Sequence, residues 1–74
     1  MENQFKLMKI KELIKEGASI EIYDNHYNTN SLFEMALEAK RKEVQLKIHV
    51  RNSEFDDLQR ILEGGGNNVT LVFD

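Results

Sequence analysis

The 74 residues suffice for one domain, and a composition of 41% hydrophobic and 31% charged residues is typical of a globular chain. Because the chain contains no cysteine, disulfides and thiolate metal sites are excluded, and a reducing, cytoplasmic compartment is favoured. The formal net charge of −3 disfavours nucleic acid as a partner, although residues 40–51 carry five basic residues and one acidic residue.

Residues 3–16 have the periodicity of an amphipathic helix, which Gly17 is well placed to end in a left-handed conformation. The apolar stripe of this helix consists of Leu7, Ile10, Leu13 and Ile14. From Ala18 to Asp24 the pattern changes to period two, with Ile20 and Ile22 on one side. This alternation predicts a first strand that buries one face.

The polar segment 24–30 predicts a loop, and Ser31 with Glu34 three residues later forms a capping box. We therefore expect a second helix from Ser31 to about Lys42. Apolar residues surround more than half of this helix, which predicts that it packs between two neighbours. Residues 44–51 then alternate between apolar and polar side chains and predict the second strand.

Asn52 and Ser53 are expected to cap a third helix, whose first turn is acidic as the helix dipole favours. Its predicted apolar stripe consists of Phe55, Leu58, Ile61 and Leu62. We interpret Gly64–Gly66 as the end of this helix and a flexible turn, since these glycines precede a strand and do not form a phosphate-binding loop. Residues 69–73 predict the third strand.

The predicted order αβαβαβ indicates one α/β domain over residues 1–74, with a three-stranded, mainly parallel sheet. Strand order 1-2-3 is favoured, and strand 3 beside strand 1 is the alternative. Because the second strand alternates cleanly, most helices should lie on one face, leaving the other face polar. Helix 1 is expected to overhang the sheet, and it carries a second apolar patch formed by Met1, Phe5 and Met8.

The leading hypothesis is a non-enzymatic module that binds another protein and can form a homodimer. An uncovered parallel sheet is unusual, because such sheets normally have both faces covered. The residues expected to contact a partner are Phe5, Met8, Tyr23, Lys47, His49 and Arg51. No membrane association is expected, since no apolar run is long enough for a signal peptide or a membrane span.

One alternative is a small-ligand or metal-binding domain, because ligands of parallel sheets bind beyond the carboxyl ends of the strands. The polar residues expected at that edge are Asp24, His26, Asn28, Arg51 and Asp74. The pattern Asp24-x-His26 is too weak to assign a metal, and no cofactor motif is present, so neither metal nor cofactor is assigned. An enzyme is therefore not favoured.

A second alternative is weak nucleic-acid binding through residues 40–51. Lys47, His49 and Arg51 follow one another at period two, and Lys40-Arg41-Lys42 precedes them. The simpler interpretation of Lys47, His49 and Arg51 is that they lie on a solvated strand face, where the negative charge of Glu21 offsets the positive charge of Lys47. Lys40-Arg41-Lys42 would in turn interact favourably with the negative, C-terminal end of the dipole of the second helix.

Overall fold

A computed structural model describes residues 6–74 of the chain. The helices are α1 (Lys6–Lys15), α2 (Thr29–Lys42) and α3 (Phe55–Gly65), and the strands are β1 (Ile20–Tyr23), β2 (Leu46–Val50) and β3 (Val69–Phe73). Single 3-10 turns at Asp24–His26 and Gly66–Asn68 follow β1 and α3. Helices and strands alternate, so the predicted αβαβαβ order is confirmed.

The strands form one parallel sheet in the order β1-β2-β3, which confirms the favoured strand order. Residues in register point to the same face, so Ile22, Ile48 and Leu71 share one face. Tyr23 and His49 share the opposite face. Because right-handed crossovers run in one direction along the sheet, α2 and α3 lie on the same face.

The hydrophobic core lies between the helices and the first of these faces. As predicted, α2 packs between two neighbours, α1 and α3. Its Met35 and Ala39 are fully buried in one cluster with Leu46 and Ile48 of β2 and Ile61 of α3. Each large apolar side chain buried in this way contributes about 1.5–3 kcal/mol relative to exposure.

Helix α1 packs on α2 and buries Ile14, while Leu7 and Ile10 are partly buried against the core. The predicted stripe is wrong at Leu13, which is 49% exposed. Met8 is also exposed, as expected for a patch on the other side of the helix. Met1 and Phe5, the remaining members of that patch, lie outside the described residues.

The two helix starts differ from their predicted caps. Asn28 caps α2, because its side-chain oxygen accepts the N–H of Ser31 at 2.8 Å, and the helix begins at Thr29. Glu54 caps α3, and its N–H donates to the Asp57 carboxylate at 3.1 Å. At α2 every residue from Asn28 to Ser31 is of a favoured capping type, so the sequence does not single out one of them. At α3 the cap is a glutamate, which is not a favoured capping type, and the prediction chose the preceding Asn52 and Ser53 instead.

The glycines have more varied roles than a cap and a turn. Gly17 has the predicted positive φ of 99°, and Gly17 and Ala18 donate to the carbonyls of Ile14 and Leu13. Gly64 and Gly65, in contrast, are the last residues of α3 and are buried. A Cβ on Gly65 would lie 2.9 Å from the Ala36 Cβ, so this glycine permits close packing of α3 on α2.

Candidate functional site

The sheet face opposite the helices, here called the open face, presents alternate residues of every strand. It consists of Glu21, Tyr23, Lys47, His49, Thr70 and Val72, continued by Arg51 and Asp74 beyond the ends of β2 and β3. The core residues of all three helices cluster with the other side of the sheet. Within residues 6–74 the open face therefore has no helix covering it.

An aromatic and cationic stack lies at the centre of the open face. The imidazole of His49 stacks on the ring of Tyr23, with centroids 4.5 Å apart and planes inclined by 16°. The guanidinium carbon of Arg51 lies 4.9 Å from the centroid of the same ring, within the range of a cation–π interaction. Tyr23 nevertheless stays 40% exposed, so the stack has accessible surface.

His49 also joins the two outer strands through its ring nitrogens. Nε2 lies 2.5 Å from Oε2 of Glu21, and Nδ1 lies 3.2 Å from Oδ2 of Asp74. Both nitrogens can donate only when the imidazole is protonated. The Glu21 carboxylate, followed by Asp74, accordingly raises the pKa of His49 against the opposing effect of burial.

The same contacts act on the two carboxyl groups. The hydrogen bond from His49 is the main cause that lowers the pKa of Glu21 and the pKa of Asp74. Asp74 further accepts a hydrogen bond from Nη2 of Arg51 at 3.0 Å. Glu21, His49, Arg51 and Asp74 thus form one network of charges, here called the His49 cluster.

Charges of both signs alternate across the open face. Glu21 is in register with Lys47, as expected for a solvated strand face on which their charges offset each other. Arg51 and His49 both contact Asp74. Lys40–Lys42, the other basic residues of the 40–51 segment, end α2 in the helical layer. The basic segment is therefore divided between two layers instead of forming one positive surface.

Asp24, one of the residues predicted at a ligand site, anchors the β2–α3 loop. It is only 2% exposed, and its carboxylate accepts the N–H groups of Arg51 at 2.7 Å, Asn52 at 3.1 Å and Ser53 at 2.9 Å. Burial favours the protonated acid, but hydrogen bonds from the Ser53 hydroxyl and these N–H groups outweigh it and lower the pKa of Asp24.

The other members of the predicted ligand site have separate contacts and do not surround one common point. His26 is exposed, Asn28 caps α2, and Arg51 and Asp74 belong to the His49 cluster. In the part of the chain that the structure describes, no three His, Cys, Asp or Glu side chains are grouped in a way that could hold a metal ion. Ligand binding at this edge stays a prediction without a preassembled set of side chains.

The predicted partner-contact residues fall on two surfaces. Tyr23, Lys47, His49 and Arg51 lie together on the open face, whereas Met8 is 73% exposed on α1. Phe5 lies outside the described residues. Sequence reasoning missed Glu21 and Asp74 as partners of His49, because their contacts depend on strand register.

The sequence pattern also did not identify two phenylalanines as surface residues. Phe55, predicted in the core stripe of helix 3, is 72% exposed, and Phe73 is 70% exposed. Phe55 begins α3 and Phe73 ends β3, so each lies where its element leaves the core. Helical or strand periodicity alone does not reveal such end positions.

Comparison with protein-family models, curated proteins and solved structures found no match. No helix among residues 6–74 has the length and apolar character needed to cross a membrane.

Proposed function

We propose that this chain is a non-enzymatic, cytoplasmic interaction module that binds another folded protein through the open face of its sheet. The observation that supports the proposal is a parallel sheet with helices on one face and an accessible Tyr23–Arg51 pair on the other. Parallel sheets are normally covered on both faces, and a docked protein would supply the second cover.

The chemistry of the open face favours protein over nucleic acid. Tyrosine and arginine are among the residue types that are enriched at the energetic hot spots of protein interfaces. Because Glu21 and Asp74 offset the neighbouring basic side chains, the face lacks the continuous positive potential that phosphates require. A partner with mixed charges at its rim and an apolar or aromatic centre would complement this face.

The test compares tagged wild-type protein with the double variant Tyr23→Ala/Arg51→Ala in affinity capture from the native host. The matched control is Phe55→Ala/Arg60→Ala, which removes an exposed aromatic residue and an arginine from α3. A true partner is retained by the wild type and the control but lost by the open-face variant.

The captured partner is then purified and titrated against all three proteins. Truncation of an interface hot spot costs about 2 kcal/mol, so we expect roughly 30-fold weaker binding by the Tyr23→Ala/Arg51→Ala variant. Unchanged affinity, with folding confirmed by circular dichroism, would show that the open face does not bind the partner.

A further inference from the structure

Strand β3 forms one edge of the sheet, and within residues 6–74 only β2 pairs with it. Its sequence, Val-Thr-Leu-Val-Phe, contains no charged residue, and the whole chain contains no proline. Natural sheets commonly protect their edges with charges, proline or bulges, because an unpaired edge can bind another strand. The edge at β3 has none of these protections between Val69 and Phe73.

The opposite edge differs in length and charge. Strand β1 has four residues and carries Glu21 in its interior. A short edge strand and a charge within it are two of the features by which natural sheets protect an edge from pairing. Self-association through a sheet edge is therefore expected at β3 and not at β1.

We propose that two copies of this chain pair through β3, antiparallel and about a two-fold axis at Leu71, to form a continuous six-stranded sheet. This register places Val69 opposite Phe73 of the second copy and Thr70 opposite Val72 of the second copy. Leu71 lies opposite itself. The proposal concerns the edge of the sheet and does not depend on a partner at the open face.

The charge distribution fits a second copy. No charged side chain lies within the paired segment, so the two-fold axis brings no like charges together. Asp74, the charged residue next to β3, falls opposite the neutral Asn68 of the second copy. The two Asp74 residues are then six positions apart along the strand direction, which is about 20 Å.

Apolar packing of the exposed Phe73 side chain favours the same register. Its side chain lies on the helix side of the sheet, in the row of Val69 and Leu71, yet is 70% exposed. Antiparallel pairing places each Phe73 ring against Val69 of the other copy and continues the apolar row across the axis. Because a five-residue strand gives a small interface, the dimer should dissociate on dilution.

The first experiment measures solution mass by light scattering over a range of concentrations. The wild type should change from 8.7 kDa when dilute to twice that mass when concentrated. Phe73→Lys should remain monomeric, whereas Met8→Lys, an equally exposed apolar position on α1, should still dimerise. A monomeric wild type at millimolar concentration, or dimerisation lost only in Met8→Lys, would overturn the proposal.

Cross-linking then tests the register, which the absence of native cysteine makes straightforward. In Thr70→Cys/Val72→Cys, cysteines of two copies would be directly opposite at a Cα separation of about 5 Å, suitable for a disulfide. In either single variant the two cysteines would be about 8 Å apart, too far for a disulfide. The double variant should form a covalent dimer under mild oxidation, and the single variants should not. A dimeric wild type whose double variant does not cross-link, or single variants that cross-link equally well, would contradict this pairing.

Two variants distinguish dimerisation through β3 from partner binding at the open face. Tyr23→Ala/Arg51→Ala alters the open face and should keep the dimer mass. Phe73→Lys alters the helix side of the edge and should still capture the open-face partner. Either proposal can therefore fail while the other is supported.

Discussion

Single residues of this fold hold together segments that are distant in the sequence, and Asp24 is the clearest example. Its buried carboxylate satisfies three N–H groups of the β2–α3 loop, 27–29 positions further along the chain. An acceptor in this position prevents the energetic cost of unpaired polar groups. Asp24 therefore has a structural role, at a place after β1 where ligand-binding residues of parallel sheets often occur.

Asp24→Ala should lower the free energy of unfolding by about 1–3 kcal/mol, since it removes the buried carboxylate that accepts three N–H groups of the β2–α3 loop. The measurement is urea denaturation, with the exposed neighbour variant Asn25→Ala as the control. Equal midpoints for the two variants would contradict this role. Because the folded pKa of Asp24 is lowered, its stabilising effect should be present above about pH 4 and be lost on further acidification.

His49 should make stability depend on pH in the opposite sense. Because the pKa of His49 is raised in the folded state, its contribution is complete below about pH 6.5 and is lost as the pH rises through the folded pKa. Glu21 and Asp74 have lowered pKa values, so their contribution is lost only in acid. The His49 cluster should stabilise the fold most between about pH 4.5 and 6.5.

Thermal unfolding from pH 5 to pH 9 tests this prediction. The melting temperature of the wild type should exceed that of His49→Gln near pH 6, and the difference should shrink towards pH 9. His26→Gln removes the chain's other histidine, which lies outside the cluster, and should follow the wild type. A difference between wild type and His49→Gln that is constant with pH would refute the ionic role.

At the scale of elements, the contact between α2 and α3 depends on glycine and alanine, whose small size lets the helices approach closely. Gly65 of α3 faces Ala36 of α2 and Val69 at the start of β3. Gly64 faces the ring of Phe33, a partly exposed side chain that can turn aside. The two glycines are adjacent in the sequence but differ in what surrounds them.

Gly65→Ala should destabilise the protein by up to about 2 kcal/mol, because an overpacking cost of about 1–3 kcal/mol exceeds the gain of about 1 kcal/mol in helix propensity. Gly64→Ala should be nearly neutral, since Phe33 can move. Chemical denaturation of both variants measures the contrast. If Gly65→Ala were the more stable of the two, the proposed close packing would be wrong.

At the scale of the whole molecule, local patterns predicted the architecture, since apolar periodicity identified all six elements in their correct order. Right-handed crossovers then restricted the strand order to few alternatives, and the favoured one is observed. The contacts of Asp24 and the pairing of His49 with Glu21 and Asp74 escaped prediction. They join residues more than twenty positions apart, and their geometry exists only after the sheet has formed.

The anchoring of the β2–α3 loop has a consequence for binding entropy at the open face. Asp24 fixes the backbone of Arg51, and Asp74 holds the guanidinium of the same residue. A side chain that is already ordered loses less conformational freedom when a partner arrives, and that loss otherwise costs about 0.5–1.5 kcal/mol for a long, flexible side chain. The buried carboxylate of Asp24 thereby preorganises Arg51, the residue that a partner would meet at the open face.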